Sequence, residues 1–348
     1  MRGDFNNLFN HNIKIRIIKI YNRMYKKDTI FDIKILEKLA QHHKILMKNI
    51  QENIENEKIE TNKNLYDFMT EYFNNNNLKK AFPFGISVNN IIAHDSYHPL
   101  NNIKFKKGDY IKVDFGLEED GNIIDSARTF EYGNLKKSQC IADCEEIVKN
   151  IEEYIKKELE INNKIVIQKI SIKTNVEIIT KGYNVLDFLG GHNIEKGCVH
   201  GKKLILNKPL NLLPDECKKY IDKNAELTEG EMFAIEVYIP NIKSGGSMVQ
   251  NVKLPITHFE IDKDFQLNLL NVKEREIYIK LKEKTKCLPY EYPINDLFDK
   301  KIIKSLINKE AIIRHLPLEW IDKFNNIKYI QYEDCYIIKN GKLINLTQ

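Results

Sequence analysis

Residues 109–133 read DYIKVDFGLEEDGNIIDSARTFEYG. Ile111, Val113 and Phe115 alternate along the first part, Asp120-Gly121 is a turn signal, and Ile123 to Thr129 follows. That pattern predicts an antiparallel β-hairpin. It carries two carboxylates, Asp114 and Asp125. An Asp at a strand end is ordinarily a turn or cap residue. The period-two neighbours of Asp114 are Lys112 and Gly116, so the face it occupies stays open.

Outward from the hairpin the texture changes in both directions. Before it, residues 81–95 (AFPFGISVNNIIAHD) hold Pro, Gly and β-branched residues without a helical period. Further back, residues 29–57 predict one or two amphipathic helices, and Leu65 to Phe73 a short helix ended by the Asn tract at 74–77. After the hairpin, a helix is predicted from about Ser138, as N-cap, to Leu159. The second half repeats the style. A helix near 166–182 leads to a glycine-rich turn, a long polar stretch to Leu227 and a strand at 231–240. Residues 263–308 look mostly helical, and 327–346 return to strand with a turn at Asn340-Gly341. The order helix, sheet, helix, sheet with antiparallel hairpins predicts an α+β fold in two halves, not a repeated βαβ unit.

The 348 residues include 54 Lys+Arg and 49 Asp+Glu, a net charge of +5, and 42% are hydrophobic. That is enough apolar material for a core, which excludes global disorder. The interleaved charges give no nucleic-acid footprint. No apolar run approaches the roughly 18–20 residues that span a bilayer, and the opening MRGDFNNLFNHNIKIR lacks the hydrophobic core of a signal peptide. Six scattered cysteines, Cys140, Cys144, Cys198, Cys217, Cys287 and Cys335, read as reduced thiols. A cytoplasmic protein is the expectation.

Glu236 stands inside the apolar run Phe233-Ala234-Ile235-Glu236-Val237-Tyr238. A carboxylate there is costly unless it is paired or bound to a metal. Asp114, Asp125, His192, Glu236 and Glu333 together suffice for two divalent ions with shared carboxylates. Two such ions about 3.5–4 Å apart can acidify one water for attack on an acyl carbon. His94 and His200, both in turn-rich segments, are candidates to bond a substrate carbonyl or position the attacking group.

Six segments in this order, FPFGISVNNIIAHD, KVDFG, GNIIDSA, GGHNIEKGCVH, GEMFAIEVY and IQYED, resemble methionine aminopeptidase over roughly residues 33–338. The resemblance implies the pita-bread fold of the M24 metallopeptidases: two pseudo-symmetric α+β halves with the site between them. It implies an N-terminal helical segment over 1–60 and a catalytic domain over 61–348. The halves fall at about 61–160 and 161–348, with a helical insertion at about 263–320. By motif, Asp114, Asp125, His192, Glu236 and Glu333 match the metal ligands, and none is replaced. His94 matches a substrate-contacting histidine, the one alkylated by fumagillin-type inhibitors in the type II branch. His200 matches the histidine that helps stabilise the tetrahedral intermediate, and Glu236 the proton acceptor and donor.

Two features point to type II: His258 in LPITHFE, matching a substrate-pocket histidine, and the helical stretch between it and Glu333. Phe82, Gly85 and Val199 fall on methionine-pocket positions. The chain also departs from the pattern. The interval from His192 to Glu236 is long, Leu316 stands where a pocket tyrosine is expected, and Asp334 stands where histidine is usual. The implied activity is removal of initiator methionine from nascent polypeptides whose second residue is small. It would use two divalent ions of Co, Mn, Fe or Zn, in a monomer, with a possible ribosome contact, no membrane and no specific nucleic acid. The competing readings are an Xaa-Pro dipeptidase-like hydrolase and a non-catalytic pita-bread protein that binds RNA or protein. The eight-residue step from His192 to His200 and the helical insertion weigh against the first, and the intact ligand set weighs against the second.

Overall fold

The computed structural model describes residues 30–348 except 219–220, 243–246, 287 and 322–326, and without the side chains of 216, 217, 247 and 293. The opening residues 1–29, Cys287 and the Cys217 side chain lie outside the described residues. The other four cysteines are free thiols.

Helix α1 (Ile33–Glu55) starts where the Asp32 carboxylate accepts from the backbone N–H groups of Lys34 and Ile35. Its apolar stripe buries Leu36, Leu39, Leu46, Ile50 and Ile54 in one core with Phe84, Phe115 and Ile124. Helix α2 (Asn62–Asn75) ends inside the asparagine tract, as its sequence predicts. Strands β1 (Gly85–Val88) and β2 (Ile91–Ala93) follow, then the hairpin of β3 (Tyr110–Glu119) and β4 (Asn122–Glu131). The hairpin register runs from Tyr110↔Glu131 to Glu119↔Asn122. Asp120 and Gly121 both take positive φ (50° and 79°), as a two-residue hairpin turn requires. β1 pairs with the other edge of β3, placing Gly85 opposite Asp114.

The second half has the same plan. Helices α3 (Gln139–Asn162) and α4 (Ile167–Thr180) precede β5 (Gly190–Ile194), β6 (Leu204–Leu206) and β7 (Met232–Pro240). Ser138 is the N-cap of α3, but its side chain makes no cap bond; its Oγ instead accepts from the Tyr110 hydroxyl at 2.9 Å. After β8 (Ser247–Gln250) and β9 (His258–Ile261) come helices α5 (Val272–Thr285) and α6 (Lys300–Asn308). The helical character expected of residues 263–308 is carried by these two and by 3₁₀ turns at Leu267–Leu269 and Tyr292–Leu297. The end of the expected insertion is extended instead, as β10 (Ile312–His315) and β11 (Leu318–Ile321). Glu310, at φ 62°, turns the chain out of α6, and Ile312 and Ile313 pair with β9. β12 (Tyr329–Lys339) and β13 (Lys342–Asn345) close the chain around the Asn340-Gly341 turn.

The larger sheet has the order β13-β12-β7-β5-β6. Phe233, Ile235, Val237 and Ile239 of β7, with Ile330, Tyr332, Tyr336 and Ile338 of β12, pack on Ile147, Ile151 and Ile155 of α3. Because side chains alternate across a strand, this burial turns Glu236, Tyr238, Gln331 and Glu333 to the opposite face. That face meets β4. Thr129 Oγ1 donates to the Gln331 carbonyl and accepts from its N–H, both at 2.9 Å, and Ser126 Oγ donates to the Glu333 carbonyl at 2.8 Å. The two halves are thus stitched strand to strand where the acidic residues lie.

Gly191, next to His192, makes this possible. A Cβ there would sit 1.9 Å from the Ala234 carbonyl oxygen. We expect Gly191→Ala to force β5 away from β7 and destabilise the protein by roughly 2 kcal/mol or more. Thermal melts would show it, and an unchanged midpoint would contradict this packing.

Candidate metal centre

The five residues singled out from sequence converge. The register puts Glu236 directly across from Glu333 on β7 and β12, while Asp114 and Asp125 come from the two strands of the hairpin. His192 comes from β5, with Nε2 3.6 Å from Asp125 Oδ2 and 4.0 Å from Glu333 Oε1. Potential ligand atoms form two groups, Asp125-His192-Glu333 and Asp114-Glu236-Glu333, each within 4.8 Å, with Glu333 common to both. Gly85 keeps the approach open, since a Cβ there would lie 2.9 Å from the Asp114 Cβ.

Burial dominates the electrostatics. It pushes the Asp114 carboxyl up to about 7 and Glu236 up to about 8. Asp125 and Glu333 rise well above the carboxylate range, by burial and then by repulsion from the neighbouring carboxylates. Asp114 Oδ1 and Asp125 Oδ1 are buried and have no hydrogen-bond partner among the described residues. Orphaned carboxylate oxygens in a crowded anionic cluster are what a multivalent cation satisfies, so the donor set fits divalent metal. His192 fits too. Its Nδ1 lies 3.3 Å from the Asn193 carbonyl, which places the proton there and leaves the Nε2 lone pair facing the carboxylates.

Two further side chains shape the centre. Gln331 Nε2 donates to Asp114 Oδ2 at 2.9 Å and to Glu236 Oε1 at 2.7 Å, and the Tyr238 hydroxyl donates to the same Glu236 Oε1 at 2.6 Å. One oxygen of each carboxylate is therefore committed to the protein. Neither residue was singled out from sequence, yet each stands two positions from a ligand on the same strand, and period two would have found them.

A cavity of about 120 Å³ opens onto the cluster. Phe82, Gly85, His94, His200 and His258, all expected there, line it. Val199 and Leu316 do not. Val199 is buried in the first core, with its backbone bonded to His192. Leu316 offers its carbonyl, which lies 3.3 Å from His94 Nδ1, while its neighbour His315 takes the wall. Phe188, Leu189, Leu204 and Leu206 line the cavity as well. Leu204 and Leu206 come from the long interval between His192 and Glu236, part of which forms β6 and a cavity wall. Asp334 points away from the centre, paired with Arg128 and bonded by the Thr347 hydroxyl at 3.0 Å. Burial lowers His94 to about 3 and His192 to about 4, and His200 and His258 well below their ordinary value, so these four imidazoles are neutral near pH 7.

Residues 34–254 match the family described as Metallopeptidase family M24. The chain belongs to that family. Among M24 relatives, the methionine aminopeptidase of Thermococcus kodakarensis is 28% identical over 269 residues, 74% of this chain and 83% of that protein. Methionine aminopeptidase 2-2 of Colletotrichum graminicola is 32% identical over 169 residues, 45% of this chain and 34% of that one. The crystal structure of the Rickettsia prowazekii methionine aminopeptidase superposes with a TM-score of 0.60 at 14% identity, over 93% of this chain and all of that one, a likeness of fold. The architecture is accordingly the pita-bread fold.

The raised carboxyls have a consequence for metal-free protein. A carboxyl with a folded value above its unfolded one stabilises the fold at low pH, and that stability is lost as pH rises through the folded value. The buried histidines act in the opposite direction, but only below their unfolded value of 6.5. Between pH 6.5 and pH 8 the raised carboxyls are opposed by a buried lysine, Lys112, which burial lowers to about 7, and they outnumber it. We expect the melting temperature of chelator-treated protein to fall across this window, and excess divalent metal to flatten the slope. A pH-independent melting temperature without metal would contradict the cluster.

Proposed function

We propose that this chain is a type II-like methionine aminopeptidase. It would remove N-terminal methionine from nascent polypeptides with a small second residue, acting as a cytoplasmic monomer. The single observation that carries the reading is the complete set Asp114, Asp125, His192, Glu236 and Glu333 around one cavity. No helix among the described residues is long and apolar enough to cross a membrane.

Two divalent ions held by these five residues would supply Lewis-acid polarisation of the scissile carbonyl and acidify a water. The chain's own residues do the rest. Glu236, with Oε1 fixed by Tyr238 and Gln331, has Oε2 left to take a proton and return it to the leaving amine. His200, whose ring centroid lies 4.8 Å from that of His192, stands at the ligand end of the cavity, where a neutral ring can donate to a developing oxyanion. His94 keeps its proton on Nδ1 against the Leu316 carbonyl, so Nε2 presents a lone pair that can accept from a substrate N–H. The same lone pair makes His94 the nucleophile toward a fumagillin-type epoxide. Phe82, Leu318 and Pro289 supply apolar wall for an unbranched side chain, whose burial contributes roughly 1.5–3 kcal/mol.

The test is methionine release from a tripeptide panel by metal-loaded protein. Met-Ala-Ser should be cleaved and Met-Leu-Ser spared. Asp114→Ala or Glu333→Ala should cost more than the roughly 10–100-fold typical of residues behind a metal ligand. Wild-type turnover by either variant would overturn the ligand assignment. Cleavage before Pro with no demand for Met at the first position would point to the dipeptidase reading instead.

A further inference from the structure

β9 and β10 pair so that His258 stands opposite His315 and Glu260 opposite Ile313. Period two places His258, Glu260 and His315 on one face, while Phe259, Ile261 and Ile312 pack into the core beneath α5 and α6 on the other. His315 lines the cavity, and its Nε2 lies 3.2 Å from Glu260 Oε2, with the two side chains only 10% and 7% exposed. A carboxylate only accepts, so Nε2 carries the proton of this bond. His315 Nδ1 makes no hydrogen bond among the described residues.

The imidazoles around it are committed elsewhere. His258 has Thr257 Oγ1 at 2.8 Å from Nδ1 and is also bonded to the Pro83 backbone. His94, with its ring centroid 5.4 Å from that of His315, has Nδ1 on the Leu316 carbonyl. The walls between are Phe82, Ala93, Pro289 and Leu318. At this end of the cavity His315, oriented by Glu260, adds to otherwise apolar walls a ring nitrogen that makes no hydrogen bond among the described residues.

We infer that His315, locked by Glu260, reads a hydrogen-bonding group at the tip of the substrate's first side chain, so that the protein releases N-terminal glutamine as well as methionine. The inference rests on the aminopeptidase reading. Glutamine is nearly isosteric with methionine: unbranched, with a carboxamide in place of the thioether and methyl. Its N–H can donate to a neutral Nδ1, and its carbonyl can accept from a protonated one, so the match holds for either state of His315. Norleucine has the same length and no polar tip, and leaves that nitrogen unpaired, the kind of mismatch on which polar pockets discriminate. The reaction is the same hydrolysis: the peptide C–N bond breaks, hydroxyl adds to the glutamine carbonyl carbon, and the proton goes to the released amine.

The experiment compares kcat/KM of the metal-loaded full chain on Gln-Ala-Ser, norleucine-Ala-Ser and Met-Ala-Ser, with His315→Leu, His315→Asn and Glu260→Gln as variants. Wild type should release glutamine faster than norleucine. His315→Leu should lower the glutamine-to-norleucine ratio by about three- to tenfold, the worth of one hydrogen bond. It should leave the methionine-to-norleucine ratio within about a factor of two. His315→Asn should recover part of the glutamine preference, and Glu260→Gln should raise KM for the glutamine peptide more than it lowers kcat. Melts of each variant separate these effects from misfolding. Release of methionine and norleucine but not glutamine, or a ratio that His315→Leu and Glu260→Gln leave unmoved, would overturn this inference alone. No release from any of the three peptides would overturn the aminopeptidase reading with it.

Discussion

Four carboxylates and an imidazole are held out of water around one small cavity, and much of the architecture exists to keep them there. Charges at such distances in a low-dielectric interior repel strongly. Metal-free, the cluster holds protons: burial raises Asp114, and burial first and repulsion second raise Glu236, Asp125 and Glu333. Loaded, it would give them up for divalent charge. The fold tolerates the crowding because each half fixes its share of the cluster on strands. The hairpin contributes Asp114 and Asp125, and the five-stranded sheet contributes His192, Glu236 and Glu333.

Precision at the seam comes from ordinary hydrogen bonds. Thr129 and Ser126 of β4 lock onto the backbone of Gln331 and Glu333, and the Arg128 guanidinium lies over the Tyr332 ring at 3.9 Å while pairing with Asp334. That pairing gives the aspartate at 334 a structural purpose on the face of β12 away from the cluster. Gln331 then reaches across the seam to hold one oxygen each of Asp114 and Glu236. The centre is therefore oriented from behind by neutral donors, which fix geometry without cancelling the charge a metal needs.

Much of this was legible in the sequence, for reasons of periodicity. The hairpin at 109–133 and the strand around Glu236 announce themselves because alternation and a two-residue turn are local signals. A carboxylate inside an apolar run cannot be there by default. Ser138 is the N-cap its position announces, yet its hydroxyl is engaged by Tyr110, a partner no local pattern reveals. The pocket was harder. Leu204 and Leu206 reach the cavity only because β6 pairs with β5 across a polar interval. Leu316 and His315 exchange places as wall, since the strand register set by β9 decides which side chain points inward and which residue offers its carbonyl. Tyr238 and Gln331 could have been found by counting two from a ligand, a step that needs the strand direction but no tertiary knowledge.

The central proposal is that these five side chains would hold two divalent ions, with Glu333 within reach of both. Anomalous diffraction from crystals of manganese-loaded protein tests it most directly. The account predicts two peaks about 3.5–4 Å apart, one ligated by Asp125, His192 and Glu333 and the other by Asp114, Glu236 and Glu333. No peak at this cluster, or metal bound only at residues elsewhere on the chain, would contradict it.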